Sequence, residues 1–175
     1  MFQINDTVVY GVHGVCKIED ITMKEFMGNR KEYYVLKPIS DSAATLYVPM
    51  HNEKLLKKMR KILSTQEVYH LIETMPQKEI LWLKNENERK EKYKRVIAQG
   101  DHSELIGMVK ALYLEKQKRE AEGKRLYISD ERFFKEAERI LYDEFQYVLN
   151  IKREELLSLI FSRIDSIIEK NFERE

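Results

Sequence analysis

The sequence predicts an α+β protein in two parts: a small antiparallel β-barrel over residues 1–63 and a compact C-terminal helical bundle over residues 64–175. Two observations carry this. In the first fifty residues, β-branched and aromatic runs alternate with Gly, Asp and Ser clusters, the mark of short strands joined by turns. From Ser64 onward the apolar residues recur at helical spacing and capping residues punctuate them. Strands first and helices second imply two segregated units rather than an interleaved parallel sheet.

Each element has a local reason. Thr7–Ile18 reads as two strands hinged at Gly11 and Gly14, residues free to take positive φ. The alternation through Val15–Ile21 is imperfect, as in a strongly bent strand. Strands at Lys31–Pro38 and Thr45–Pro49 follow turns at Gly28-Asn29-Arg30 and Ser40-Asp41-Ser42. Residues 51–63 are basic and fit a short helix or an extended connector. Ser64-x-x-Glu67 is a capping box, opening a helix that Pro76 stops. The next helix is expected over Gln77–Gln99, ended by Gly100. Asp101 caps a third, with Leu105, Met108, Val109, Leu112 and Tyr113 on one face, and Gly123 closes it. Ser129 is expected to cap a fourth, with Phe134, Ala137, Leu141, Phe145 and Val148 inward. Asn150 is expected to open the last, striped by Leu157, Ile160, Ile164 and Ile167.

Charged residues make up 35% of the chain, yet the net charge is only +1, which excludes an all-over basic coat. The distribution is uneven: residues 64–127 carry thirteen Lys/Arg against eleven Asp/Glu, and residues 128–175 carry eight against twelve. Any phosphate attraction must come from a local patch. No apolar run approaches the roughly 20 residues of a membrane span. The N-terminus lacks the basic and apolar segments of a secretion signal. The lone Cys16 has no internal disulfide partner. These features lead us to expect a reducing cytoplasm and no membrane partner.

The Gln77–Gln99 segment breaks the amphipathic pattern. Between Leu83 and Val96 its only large apolar residue is Tyr93. As one continuous helix it would set Trp82, Glu86, Arg89 and Tyr93 on a single face. An aromatic flanked by Arg89, Lys90 and Lys92 suits nucleic acid, since cations meet phosphates and an aromatic can wedge against a base step. The residues also allow Trp82 to cap the bundle core with the charges as ordinary solvated surface.

Thr7-Val8-Val9-Tyr10-x-x-His13-Gly14-Val15, Lys31 to Lys37, and Val48-Pro49 with Asn52 resemble the CarD/CdnL family of bacterial transcription regulators. Ala98-Gln99-Gly100-Asp101 resembles the family's inter-helix turn, and Ala137-x-x-Ile140-Leu141-x-x-Glu144 its penultimate helix. The resemblance covers roughly residues 1–160. It implies a Tudor-like β-module that docks on the RNA polymerase β subunit, here through Lys24 and Thr45, Leu46, Tyr47, Val48 and Pro49. It implies a helical domain that contacts promoter DNA in the minor groove near the −10 element and stabilises the open complex. Counting back from Gly100-Asp101, Glu86 stands at the family's tryptophan wedge and Arg89 at its arginine. Trp82 lies four residues earlier, so it is either a displaced wedge or core. Where some relatives carry arginine, this chain has Tyr47.

His13-x-x-Cys16 lacks partners at metal-like spacing, and Cys16 lacks a base. No Gly-rich phosphate loop, nucleophile elbow or His-Glu-x-x-His is present. We therefore expect no enzyme, cofactor or small-molecule substrate. The sequence reads as a polymerase-binding regulator with promoter contact. Glu86 and the near-neutral charge leave open a protein-interaction adaptor with little or no DNA contact.

Overall fold

The computed structural model describes residues 1–26 and 28–172, the side chains of 26, 29 and 165–172 apart. The chain folds as two units, Met1–Leu63 and Ser64–Glu175.

The first unit is a five-stranded antiparallel sheet in the order β4-β3-β2-β1-β5. Its strands are β1 (Thr7–Tyr10), β2 (Val15–Phe26), β3 (Asn29–Pro38), β4 (Leu46–Pro49) and β5 (Met59–Lys61). Gly11 and Gly14 have φ of 47° and 70°, letting a single 3-10 turn return the chain from β1 to β2. The register of β2 against β3 shifts between Ile18 and Asp20. One extra residue on β2 explains its imperfect alternation and bends the strand. Val8, Cys16, Ile18, Tyr34, Leu36 and Val48 form the core, with Met59 of β5 against them. Each fully buried aliphatic side chain contributes about 1.5–3 kcal/mol at most.

Two expectations are corrected here. The closed barrel is instead an open sheet, with β4 and β5 at its edges among the described residues. The basic 51–63 stretch is neither all helix nor all connector. Asn52 caps the four-residue helix α1 (Glu53–Leu56) through a 3.2 Å bond from the Leu55 N–H, and β5 then pairs with β1.

The second unit contains α2 (Thr65–Thr74), α3 (Glu86–Gln99), α4 (His102–Ala121), α5 (Ile128–Leu149) and α6 (Arg153–Phe172). Both halves of the Ser64–Glu67 capping box are made. Asp101 caps α4 through the Glu104 N–H at 2.9 Å. The first half of α4 is buried on nearly every side, Leu105 to Val109 included, so it is the central helix of the unit. Phe134, Ala137, Leu141 and Phe145 of α5 and Ile160 and Ile164 of α6 complete the core.

Three helix boundaries differ from the sequence expectation. The helix placed over Gln77–Gln99 begins only at Glu86. Asn85 accepts the N–H groups of Asn87 and Glu88 at 3.0 and 3.2 Å, and Glu86 and Glu88 complement the helix dipole, so the start signal at Asn85 prevails. Ser129 is already inside α5, whose N-cap is Tyr127. Asn150, at φ 51°, closes α5 in the left-handed conformation rather than opening α6. The expected inward side chain of Ile167 lies outside the described residues.

Candidate functional site

Two surfaces hold the residues singled out in the sequence. On the first unit, β4 is an edge strand, joined to β3 from Tyr33↔Pro49 to Leu36↔Leu46. The Met50 N–H donates to the Glu32 carbonyl at 2.9 Å. Antiparallel alternation then turns the Val48 N–H toward β3 and the Tyr47 N–H outward. The ring nitrogen of Pro49 faces outward too, which is where a strand tolerates proline. The six expected docking residues divide by burial. Val48 is in the core and Leu46 packs on it. Thr45 and Tyr47 are exposed, and Lys24 and Pro49 are half-buried. The curl of the sheet carries the Lys24 ammonium over the Tyr47 ring, 3.5 Å from its centroid. A cation thus sits at this edge even though position 47 is not arginine. Exposed Met23 adjoins Lys24 in the strand.

The second surface is built on a strap. After α2, a 3-10 turn at Met75–Gln77 leads into residues 78–85, which run without helix to the α3 cap. The strap crosses α4, and the Leu81 N–H donates to the Gly107 carbonyl at 3.3 Å. The Tyr93 hydroxyl donates to the Leu81 carbonyl at 2.9 Å. Burial pushes that phenol well above its ordinary pKa, so it remains a donor. Nη1 of Arg89 donates to the Leu83 carbonyl at 2.7 Å, while its Nε and Nη2 hold Asp130. The guanidinium also lies under the Trp82 indole, 4.3 Å from the ring centroid. Trp82 is half-buried and Ile80 exposed.

This geometry divides the expected nucleic-acid face. Arg89 and Tyr93 point into the unit, with Arg89 only 2% and Tyr93 0% exposed. They are the supports of Trp82, not its neighbours on an outer helix face. Glu86 is exposed in the first turn of α3 and pairs with Lys90, which holds its carboxyl below the usual range. Lys92 pairs with Glu104. Sequence reasoning missed Asp130, Gly107 and Lys110, because no local pattern links residues that meet only through the fold. The remaining candidate chemistry is quiet: Cys16 is buried, and its thiol is pushed up to about 11 by burial. Among the described residues no cluster of His, Cys, Asp or Glu could hold a metal ion.

Comparison with known families fits this two-unit layout. Residues 2–63 match the CarD-like/TRCF RID domain, and residues 67–161 match the CarD C-terminal domain. The chain belongs to the CarD-like family. One CarD-like relative is the Bacillus subtilis (strain 168) protein named as transcription factor YdeB, 33% identical over 75 residues. That match covers 42% of this chain and 48% of the relative, so it spans about half of each. No helix among the described residues of this CarD-like chain is long and apolar enough to cross a membrane.

Proposed function

We propose that this chain is a non-enzymatic regulator that docks on the RNA polymerase β subunit through its first unit and presents Trp82 to promoter DNA through its second. Docking uses the outer edge of β4, where a partner strand can add to the sheet, with Lys24 and Tyr47 giving side-chain specificity. The DNA contact stabilises the open complex near the −10 element, in the minor groove. The observation that carries this reading is the support under Trp82. A buried guanidinium, fixed by Asp130, props one face of a partly exposed indole. An aromatic held that way loses little freedom when it meets a base step. Glu86, paired with Lys90, is not a wedge.

A second reading has its own support. Lys90, Lys92 and Lys94 each lie on a glutamate, at Glu86, Glu104 and Glu91, which leaves α3 little net charge for phosphate. On that reading the helical unit meets protein, and the chain is an adaptor on polymerase. Open-complex lifetime on a promoter, with the full chain and purified polymerase, separates the two. We expect Trp82→Ala to shorten that lifetime while leaving polymerase binding intact. An unchanged lifetime would leave the adaptor.

A further inference from the structure

We infer that Gly107 and Lys110 are positioning residues: they clamp the 78–85 strap, and the 3-10 turn before it, onto α4 and so set the height at which Trp82 stands. This rests on the reading that Trp82 meets DNA.

Gly107 sits in the interior of a 20-residue helix, where glycine is less favourable than alanine. Helix formation gives it no reason to be there. The strap does. A Cβ at position 107 would lie 2.8 Å from the Glu79 carbonyl oxygen, a backbone atom, and 3.7 Å from the Leu81 Cβ. Any side chain there must lift the strap off the helix. The absent Cβ lets the Leu81 N–H reach the Gly107 carbonyl, so the strap rests directly on the α4 backbone.

Lys110 lies three residues on, on the same side of α4. Its ammonium donates to the Pro76 carbonyl and, at 2.9 Å, to the Lys78 carbonyl, and it has no carboxylate partner among the described residues. An irregular segment lacks a ladder to satisfy its carbonyls, and this lysine supplies the missing donors. Counted along the chain, the turn and strap are held at 76 and 78 by Lys110, at 81 by the Gly107 carbonyl, and at 83 by Arg89. Trp82 falls between the last two of these holds, so the backbone that carries its ring is pinned on both sides.

The test uses the full chain with purified polymerase and promoter DNA. Acrylamide quenching of the chain's one tryptophan is read beside open-complex lifetime. Gly107→Ala and Lys110→Met should each alter the quenching constant and shorten the lifetime by roughly two- to tenfold, the range of one lost hydrogen bond. Affinity for polymerase alone should not move. Lys110→Arg, which can again donate to two carbonyls, should restore most of the lifetime and guards against a fold that merely fails. Wild-type quenching and lifetime in Gly107→Ala and Lys110→Met, alongside a shortened lifetime in Trp82→Ala, would overturn the positioning role. If Trp82→Ala has no effect on lifetime while both variants change the quenching, the DNA reading fails and the clamp on the indole stands.

Discussion

Arg89 on α3 and Asp130 on α5 close a two-point ion pair in the interior of the helical unit, Nε to Oδ1 at 3.1 Å and Nη2 to Oδ2 at 2.7 Å. Both side chains are almost wholly shielded from water, 2% and 0% exposed. Such a pair contributes little net stability against an apolar substitute, but losing one partner strands a buried charge. Asp130→Ala should therefore destabilise the helical unit by about 3–5 kcal/mol in denaturant titration. The double variant Arg89→Met/Asp130→Leu should recover much of that loss. A double variant as unstable as the single one would show that shape rather than charge sets the cost.

The Lys24–Tyr47 pair gives the docking prediction. Tyr47→Glu should weaken capture of purified polymerase by the full chain, and Lys24→Glu should do the same. A reversed charge desolvated at an interface costs several kcal/mol. Both positions lie outside the core cluster, so the denaturation midpoint should barely move. Unchanged capture in both variants would assign docking to another surface.

Glu86 gives a charge prediction of opposite sign for binding and folding. Replacing it by lysine removes a favourable carboxylate from the first turn of α3 and the pair with Lys90. The helix should lose about 0.3–1 kcal/mol. If α3 borders DNA, affinity for promoter complexes should rise. Its logarithmic salt dependence should steepen by roughly 0.9 for each phosphate newly neutralised. A flat salt response would place α3 away from the duplex.

Cys16 should be inert in the folded chain. The side chain is buried in the sheet core and its thiol donates to the Gly14 carbonyl across 3.6 Å. With its pKa pushed up to about 11, the thiolate is scarce at neutral pH. Alkylation should be slow in buffer at pH 7–8 and rapid in denaturant. Rapid labelling of native protein would mean that β1 and β2 open readily.

What the sequence made legible was local. The Ser64 capping box, the Asp101 cap and the glycines at the β1–β2 turn each act over two to four residues, and each stands as expected. The continuous Gln77–Gln99 helix failed because its start signal lies well inside the segment. Pro76 opens only a 3-10 turn, and Asn85 with Glu86 and Glu88 opens the helix. Once the helix shortens, Trp82 leaves the face it was expected to share with Arg89. It rejoins that residue from a different direction, by stacking. The burial of Arg89 was hidden because its partner lies forty-one positions away. That the sheet stays open was hidden for the same reason, since strand order at its ends is decided by non-local pairing.

The outward nitrogen of Pro49 has a consequence for assembly. At the free margin of β4, Tyr47 supplies an N–H, while the next outward position, Pro49, offers only a carbonyl. An arriving strand finds a short, acceptor-rich stretch, enough to fix one register but too little to hold on by main chain alone. A second copy of the chain, bringing the same proline-interrupted margin, would be short of donors just where they are needed. Two copies paired β4 to β4 would therefore lack donors that a guest with its own side-chain contacts need not rely on.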